Sequence, residues 1–292
     1  MRNPIYSIAL AGATLLAANL ARATEVYVTG HEDDWQLFMG QKAFDDVVTQ
    51  DRVVFIYLTA GDAGYGKGGW GTVGMYRARE EGAIASASVP TSVIEKWFPS
   101  DSSTWVTLNK HMIRRTVHRN THHYFLRLPN GAPDGGGYAG TQNQSLRMFR
   151  TGAITSMKAV DGSTTYTSYQ DLQTTLQAIL NQFSPGTINL TEADGSVNPW
   201  SHTDHYETTV LTVNAFNYGA RGFRFWLDYS SPTRGTTVST EDLIKKTYLL
   251  GAMAHAMTVR GYNGVYHPWH NQFLPVSGFR EVPAPFALPP LN

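Results

Sequence analysis

The sequence predicts an α/β protein of the Rossmann-like class, in which a mostly parallel sheet is flanked by helices on both faces. Residues 26–29 and 53–58 are apolar, β-branched stretches with the length of buried strands. Apolar residues at helical spacing follow residue 34, and a second helical pattern covers residues 77–87. Strands that alternate with helices in this way are typical of βαβ units, whose strands are parallel.

Later segments continue this alternation. Helical spacing of apolar residues predicts helices at residues 43–49 (continuing the first helix), 166–183, 208–216 and 241–257. Extended patterns predict strands at residues 187–191 and 222–229, and further strands within residues 104–128. In that last region the expected inward-facing residues are Trp105, Val106, Val117, Tyr124 and Phe125. From about residue 262, proline and aromatic residues predict an irregular tail.

Length and composition restrict the class of protein. The chain has 292 residues, of which 42% are hydrophobic, so it is long enough to bury a sizeable core in one domain. Its 23 basic and 23 acidic residues balance, and no basic tail or patch is visible, which argues against nucleic acid as a partner. There is no cysteine, so disulfides and a lipid-modified cysteine are excluded. The oligomeric state is left open.

Residues 1–23 have the pattern of a secretory signal. Arg2 gives a positive start, residues 8–18 are an apolar stretch, and Ala21-Arg-Ala23 is a small-x-small cleavage pattern. The alternative is a membrane anchor, but the apolar stretch is shorter than the roughly 20 residues that a span needs. We therefore expect cleavage near Ala23, a mature domain of residues 24–292 without a stable membrane anchor, and a secreted or periplasmic location.

Histidine and acidic residues follow the first predicted strand. Gly30 ends this strand, and His31, Asp33 and Asp34 lie in the turn that leads into the first helix. One interpretation is a helix N-terminus whose acids cap free N–H groups. The other is a metal site, since a neutral imidazole and a carboxylate are ordinary zinc ligands. This turn would lie at the carboxyl end of the sheet, where ligands bind in open α/β proteins.

A second cluster of the same composition favours the metal site. His202, Asp204 and His205 follow the predicted strand at residues 187–191 and precede a predicted helix. Capping alone does not explain why two separate strand ends each carry histidine and aspartate. With His31, Asp34 and His205 as ligands, tetrahedral zinc would keep one or two positions open for water. Zn²⁺ is therefore the expected ion, although another divalent metal is possible with two histidines and one carboxylate.

The two clusters resemble the motifs of a known family. Residues 31–34, His-Glu-Asp-Asp, are similar to the His-Pro-Asp-Asp motif of the PIG-L (LmbE-like) N-acetylglucosaminyl deacetylase family, and residues 202–205, His-Thr-Asp-His, to its His-Pro-Asp-His motif. Residues 57–64, 76–83 and 125–131 resemble its second strand and turn, its Arg/Glu-bearing helix and its third strand. The resemblance covers roughly residues 25 to 260 and implies an LmbE-like fold.

The chemistry of these residue types is that of metal-assisted amide hydrolysis. Asp33 is placed to take a proton from the attacking water as a general base. The resemblance implies that His202 stabilises the oxyanion or protonates the leaving amine, while Asp204 would orient an imidazole. It also narrows the expected substrate to N-acetylglucosamine-type sugars or glycoconjugates, from which the N-acetyl group is removed.

Three residues are predicted to contact the substrate. Arg77 and Glu80 match paired positions of the family, Asn130 stands where many relatives have an acid, and Trp70 in the glycine-rich loop could stack on a sugar ring. The chain departs from the family pattern at three positions, which are Glu32 and Thr203 in place of the motif prolines and Trp35 in place of an acid.

Alternative functions remain open at this point. The first is a non-catalytic carbohydrate-binding protein with a degenerate metal site, and the second is a metal-dependent hydrolase of another amide or ester. His118, His122 and His123 would suit a further metal site only if they lay on a helix, which their β-branched neighbours disfavour. His267 and His270 in the tail are interpreted as packing residues that could instead approach the site.

Overall fold

The computed structural model describes residues 24–263 and 268–288, and the predicted leader lies outside this range. The strands are β1 (Thr24–Thr29), β2 (Val53–Thr59), β3 (Ser102–Leu108), β4 (His111–His118), β5 (Thr121–Leu128), β6 (Met157–Lys158), β7 (Thr165–Tyr166), β8 (Pro185–Thr191), β9 (Gly222–Trp226), β10 (Thr236–Thr237), β11 (Val276–Ser277) and β12 (Phe279–Pro283). The helices are α1 (Asp34–Phe38), α2 (Gly40–Thr49), α3 (Met75–Ser92), α4 (Leu146–Arg150), α5 (Tyr169–Leu180), α6 (Thr203–Phe216), α7 (Ser231–Arg234) and α8 (Thr240–Val259). Two 3₁₀ turns cover Ala139–Thr141 and Pro268–Phe273.

Eight strands form the central sheet in the order β12-β9-β8-β1-β2-β5-β4-β3. The five middle strands, β9 to β5 in this order, are parallel, and the antiparallel strands lie at the two edges. The prediction of a mostly parallel sheet is confirmed. After β1 the chain proceeds to β2 on one side and returns later as β8 on the other, so β1 and β8 border a topological switch point, where ligands bind in such sheets.

Helices cover both faces of the sheet, as predicted. Alternate residues of β1 point to opposite faces, with Val26 and Val28 in one core and Tyr27 in the other. The first core receives the apolar residues of α5 and α6, and the second those of α1, α3 and α8. No helix in the described part of the chain is both long and apolar enough to cross a membrane.

The first predicted helix is divided in two, which corrects the expectation of one helix to residue 49. The break lies at Met39, whose backbone has φ −120° and ψ 1°. Gly40 then starts α2 at a close approach to α8, since a Cβ there would lie 3.1 Å from Cγ of Lys246 and 3.2 Å from Cδ1 of Leu249. The break therefore allows α8 to pack closely against the start of α2.

Two further expectations need correction at the sheet edges. Trp105 was expected to face inward, but its side chain is 41% exposed because β3 is an edge strand that lacks a covering helix on that face. The tail after residue 262 is not wholly irregular, since β12 pairs with β9. Phe279 of β12 packs on Trp226 with a centroid distance of 4.6 Å, which adds an aromatic contact to the strand pairing.

His118, His122 and His123 lie in or at the ends of extended strands and have separate partners. His118 pairs with Asp101, and His123 contacts Tyr57 and Thr121. The helical geometry that a metal site of these three histidines requires is therefore absent from β4 and β5.

A fully buried lysine joins the tail to α8. Lys246 donates hydrogen bonds to the carbonyl oxygens of Phe273 at 2.6 Å and Val276 at 2.7 Å. Burial lowers the pKa of this amine to about 7, and the charge of Asp242 only partly opposes that change. A neutral amine still has two N–H groups, which is the number that these carbonyls require.

We predict that Lys246→Met removes a pH dependence of stability. In the unfolded chain the Lys246 amine has a pKa of 10.5, whereas in the folded protein its pKa is about 7. Between these pH values the unfolded state binds one more proton than the folded state. The free energy of unfolding of the wild type should therefore rise with pH relative to that of the variant. This increase in the free energy of unfolding should be about 1.4 kcal/mol per pH unit. Urea unfolding of both proteins at pH 7 to 10 would measure it.

Lys245→Met is the matched control. Lys245 is a neighbouring lysine whose pKa is raised despite partial burial by its acidic partners Asp45 and Glu241, so it stays protonated in both states over this pH range. Parallel stability curves for wild type and Lys246→Met would contradict the prediction.

Candidate metal centre

The two predicted clusters meet at the carboxyl ends of β1 and β8. His31 follows β1, and His205 lies in the first turn of α6, which follows β8. Gly30 permits this approach, since a Cβ there would lie 3.0 Å from Cδ2 of His205 and 3.2 Å from the carbonyl carbon of Asp204. The glycine is therefore required for the close approach of the two loops, because a larger residue would push the histidine away.

Three side-chain atoms converge on one point. Nδ1 of His31 lies 3.0 Å from Nε2 of His205, and Oδ1 of Asp34 lies 3.0 Å from that Nε2 and 3.5 Å from that Nδ1. Ligands about 2.0–2.2 Å from a tetrahedral ion are separated by about 3.3–3.6 Å, and a smaller ligand angle shortens this distance. The set of two histidines and one carboxylate therefore fits a divalent metal.

Hydrogen bonds fix the direction of His31 and Asp34. Oδ2 of Asp34 accepts the backbone N–H of His31 at 2.8 Å, which leaves Oδ1 towards the centre. Nε2 of His31 lies 3.2 Å from Oδ2 of Asp204 and 2.9 Å from the Asn130 side-chain amide, so Nδ1 is the nitrogen left for a metal. Oδ2 of Asp204 also accepts the N–H of Gly131 at 2.8 Å, as expected for a carboxylate that orients an imidazole.

His205 is oriented by a carboxylate that the sequence analysis did not identify. Nδ1 of His205 lies 2.9 Å from Oδ2 of Asp228, and both side chains are fully buried. Asp228 follows β9, so it is a third acid at the carboxyl edge of the parallel strands. The predicted strand at residues 222–229 included Asp228, whereas β9 ends at Trp226 and thereby places this acid at the strand end.

The electrostatic field of the site favours positive charge. Burial alone would lower the pKa of His31, but the charge of Asp34 and the hydrogen bonds to Asp204 and Asp34 raise it to about 9. Burial likewise opposes protonation of His205, yet Asp34 and Asp228 raise its pKa well above the usual value. Burial would raise the pKa of Asp34, and the two histidines instead hold it well below its usual range. The same field would favour a cation.

Asp33 is held beside the centre by an arginine. One oxygen each of Asp33 and Asp34 and one ring nitrogen of His31 lie within 4.8 Å of one another. Arg79 pairs with Oδ1 of Asp33 through one nitrogen and with Oε2 of Glu32 at 2.9 Å through Nε. Burial would raise the pKa of Asp33, but the Arg79 guanidinium outweighs it and lowers that pKa. Asp33 is thus an ionised acceptor.

Arg79, and not the predicted Arg77, is the arginine that reaches the site. Arg79 shares the inner face of α3 with Met75 and Ala83, which are both buried, whereas Arg77 is exposed. Residues four apart lie on the same face of a helix, so the spacing of residues 75, 79 and 83 distinguishes the inward Arg79 from Arg77. Glu80 pairs with Arg127 at 2.7 Å, and no such contact joins it to Arg77 among the described residues.

His202 borders the centre in a defined tautomer. Its Nδ1 accepts the backbone N–H of Asp204 at 3.0 Å as the N-cap of α6, so Nε2 carries the hydrogen of the neutral ring. Burial and the positive charge of His31 lower the pKa of His202 to about 3. Ring nitrogens of His31, His202 and His205 lie within 4.8 Å of one another. His202 is therefore a neutral donor beside the metal ligands.

The other predicted substrate residues lie at different distances from the centre. Asn130 is buried against His31, as described above. Trp70 is 55% exposed in the glycine-rich loop, and its ring packs on Tyr65 and Tyr262. His270 contributes positive charge that lowers the pKa of Asp33, after the larger effects of burial and Arg79. His267 lies outside the described residues.

We predict that Asp228→Asn weakens metal binding about 10- to 100-fold without unfolding the protein, because the carboxylate no longer orients His205. Competition with a metal-binding dye would measure the affinity, and circular dichroism would check folding. Asp45→Asn, which alters an exposed ion pair with Lys245, is the control. Equal affinity in wild type and Asp228→Asn would show that Asp228 does not support the site.

No family model and no curated protein sequence matches the chain. Among solved structures, N,N'-diacetylchitobiose deacetylase from Pyrococcus horikoshii is 15% identical with a TM-score of 0.48, over 89% of this chain and 84% of that one. A deacetylase of the A40926 pseudoaglycone is 14% identical with a TM-score of 0.48, over 90% and 98%. The 4-carboxy-2-hydroxymuconate hydratase from Pseudomonas putida is 12% identical with a TM-score of 0.45, over 92% and 99%. At these values no activity of the chain follows from the similarity.

Proposed function

We propose that the chain is a secreted, metal-dependent N-deacetylase of the PIG-L (LmbE-like) type that acts on N-acetylglucosamine-type sugars or glycoconjugates. The observation that carries the proposal is the convergence of His31 Nδ1, Asp34 Oδ1 and His205 Nε2 within 3.5 Å of one another. A carboxylate holds the other nitrogen of each histidine, as metal sites require. The order of these residues along the chain is that of the family motifs.

Zinc, or another divalent ion, would be held by His31, Asp34 and His205. When bound, such an ion lowers the pKa of a water molecule and polarises a carbonyl oxygen. The reaction adds water to the amide carbonyl carbon and then breaks the C–N bond, which releases acetate and a free amine. Side chains next to the three metal ligands would move the proton of the attacking water and stabilise the oxyanion.

Asp33 is the proposed general base. Its carboxylate lies within the 4.8 Å cluster with His31 and Asp34, and Arg79 keeps it ionised and fixed in position. An ionised carboxylate next to the attacking water can accept its proton during attack on the carbonyl. Arg79 binds Oδ1 of Asp33, so the other oxygen of this carboxylate can accept one more hydrogen.

His202 is the proposed donor to the oxyanion. Since its Nδ1 accepts a backbone N–H, its Nε2–H is the group available to the substrate. A preorganised N–H donor stabilises the negative oxygen of a tetrahedral intermediate more than the neutral carbonyl. Asn130 is buried beside His31, with its side-chain amide nitrogen 2.9 Å from Nε2 of that ring.

The secreted location and the sugar substrate rest on sequence features. The residues that suggest a leader precede the described chain, and the aromatic residues Tyr65 and Trp70 lie exposed in the loop after β2. Exposed aromatic rings on loops are suited to stacking on sugar rings. Incubation of a panel of N-acetylated sugars with assay of acetate release would identify the substrate.

We predict that purified mature protein contains one divalent ion per chain and that His205→Ala contains none, because this variant removes one of three ligands. Elemental analysis by mass spectrometry would measure both. Asp45→Asn, which leaves the cluster intact, should keep the ion. Wild-type protein without an ion after exposure to zinc would contradict the proposal and favour a carbohydrate-binding protein with a degenerate site.

We also predict that Asp33→Asn keeps the metal but lowers the rate of acetate release at least about 100-fold, because an amide cannot accept the proton. Measurement of kcat and metal content on the same preparation would separate the two effects. Asp45→Asn, which alters an ion pair with Lys245 outside the cluster, is the control and should retain the activity. Turnover by Asp33→Asn at the wild-type rate would remove Asp33 from the mechanism.

A further inference from the structure

A cavity lies between α3 and the β3–β4 hairpin, and none of the residues of the metal centre line it. We call it the α3 groove, and its volume is about 670 Å³, within the range of about 300–1,000 Å³ typical of ligand sites. Its lining includes Lys67, Arg77, Glu80, Trp105, Arg114 and Arg127. Trp105 of the edge strand β3 is 41% exposed there.

The floor of the groove is rigid. Arg127 donates two hydrogen bonds to the Glu80 carboxylate and one to Asp161, so each nitrogen of its guanidinium has an acidic partner. The same guanidinium lies 5.0 Å from the ring centroids of both Tyr76 and Trp105. Arg127 also has a φ of +58°, a backbone conformation that non-glycine residues rarely adopt and that is concentrated at functional sites. Trp105 is thereby held as an exposed aromatic surface.

Three cations at the rim form no salt bridge. The side chains of Lys67, Arg77 and Arg114 make no hydrogen bond or salt bridge in the described ranges, although the acids Glu80, Glu81 and Asp161 also line the groove. The Arg114 guanidinium lies 5.8 Å from the ring centroid of Trp105 and attracts the Glu80 carboxylate at longer range. Arg127 pairs with both Glu80 and Asp161, and Glu81 pairs with Arg260. The lining holds four cations, including Arg127, against three acids, so its net charge is positive.

The acids nevertheless restrict the ligand. A densely charged polyanion such as nucleic acid would bring phosphates close to the carboxylates of Glu80, Glu81 and Asp161, which is unfavourable. A chain with widely spaced carboxylates can place one at Arg114 or Arg77 and stack a neutral ring on Trp105. Guanidinium groups bind carboxylates through two parallel hydrogen bonds, which makes them specific for this group.

From this arrangement we infer that the α3 groove binds an acidic glycan, in which uronic acid carboxylates alternate with neutral sugars. Trp105 provides the stacking surface, while Arg77, Arg114 and Lys67 bind the carboxylates. The inference concerns binding at a site separate from the metal centre, so it does not depend on the proposed deacetylation.

Two hexasaccharides distinguish acidic from neutral glycans. Hyaluronan hexasaccharide alternates glucuronate with N-acetylglucosamine, and chitohexaose has the same length and N-acetyl groups without carboxylates. In calorimetric titrations with a chelator present, which keeps the metal centre from hydrolysing N-acetyl groups, the wild type should bind the hyaluronan hexasaccharide at least about tenfold more tightly than chitohexaose. Trp105→Ala and Arg114→Gln should each weaken that binding about tenfold, because a stacking surface or a charged hydrogen bond is lost.

Matched variants control for surface charge and aromatic area. Trp97 is 83% exposed and Arg221 is exposed, and both lie outside the α3 groove, so Trp97→Ala and Arg221→Gln should bind the hyaluronan hexasaccharide like the wild type. Equal affinity for the two hexasaccharides, no binding of either, or binding that Arg114→Gln and Trp105→Ala leave unchanged would each overturn the inference. Because the readout is affinity, a protein that releases no acetate still tests it.

Discussion

Compensation of buried negative charge is the constraint on which the candidate site depends. Five carboxylates lie within a few residues of the switch point and are almost fully buried, namely those of Glu32, Asp33, Asp34, Asp204 and Asp228. An unpaired buried charge is very costly, so the protein must supply positive charge there. Arg79 provides one permanent cation, and the histidines His31 and His205 add two more by binding protons. A divalent ion would supply the same charge and release these protons.

The fold concentrates these acids because parallel strands end at one edge. β1, β8 and β9 deliver Asp34, Asp204 and Asp228 to that edge from positions far apart in sequence. Small residues then allow the loops to come together. Gly131 is as important as Gly30 here, since a Cβ at Gly131 would lie within about 2.4 Å of Oδ1 of Asp204. Neither glycine can be replaced without moving the carboxylate or the histidine that it faces.

The sequence predicts the parallel core of the fold well because its signals are local. The apolar strands β1, β2 and β8 and the motif residues next to them are contiguous patterns, and the sheet type is confirmed by the structure. The break at Met39 and the edge strand β12 depend instead on contacts with α8 and β9, which no local pattern contains. Asp228 and Arg79 were missed for a similar reason, since each acts through a partner distant in the chain.

The two positions at which the chain lacks a proline of the resembling motifs, Glu32 and Thr203, are explained by the same interactions. A proline would fix the backbone of each motif, and here hydrogen bonds do so instead. The Thr203 hydroxyl donates to the carbonyl oxygen of Pro133 at 2.7 Å, which ties the second motif to the loop after β5. Glu32 binds Arg79, which brings that arginine to Asp33. Replacing a proline with an acid thus adds a charge that would be unfavourable alone, and the arginine that balances it also orients the neighbouring carboxylate.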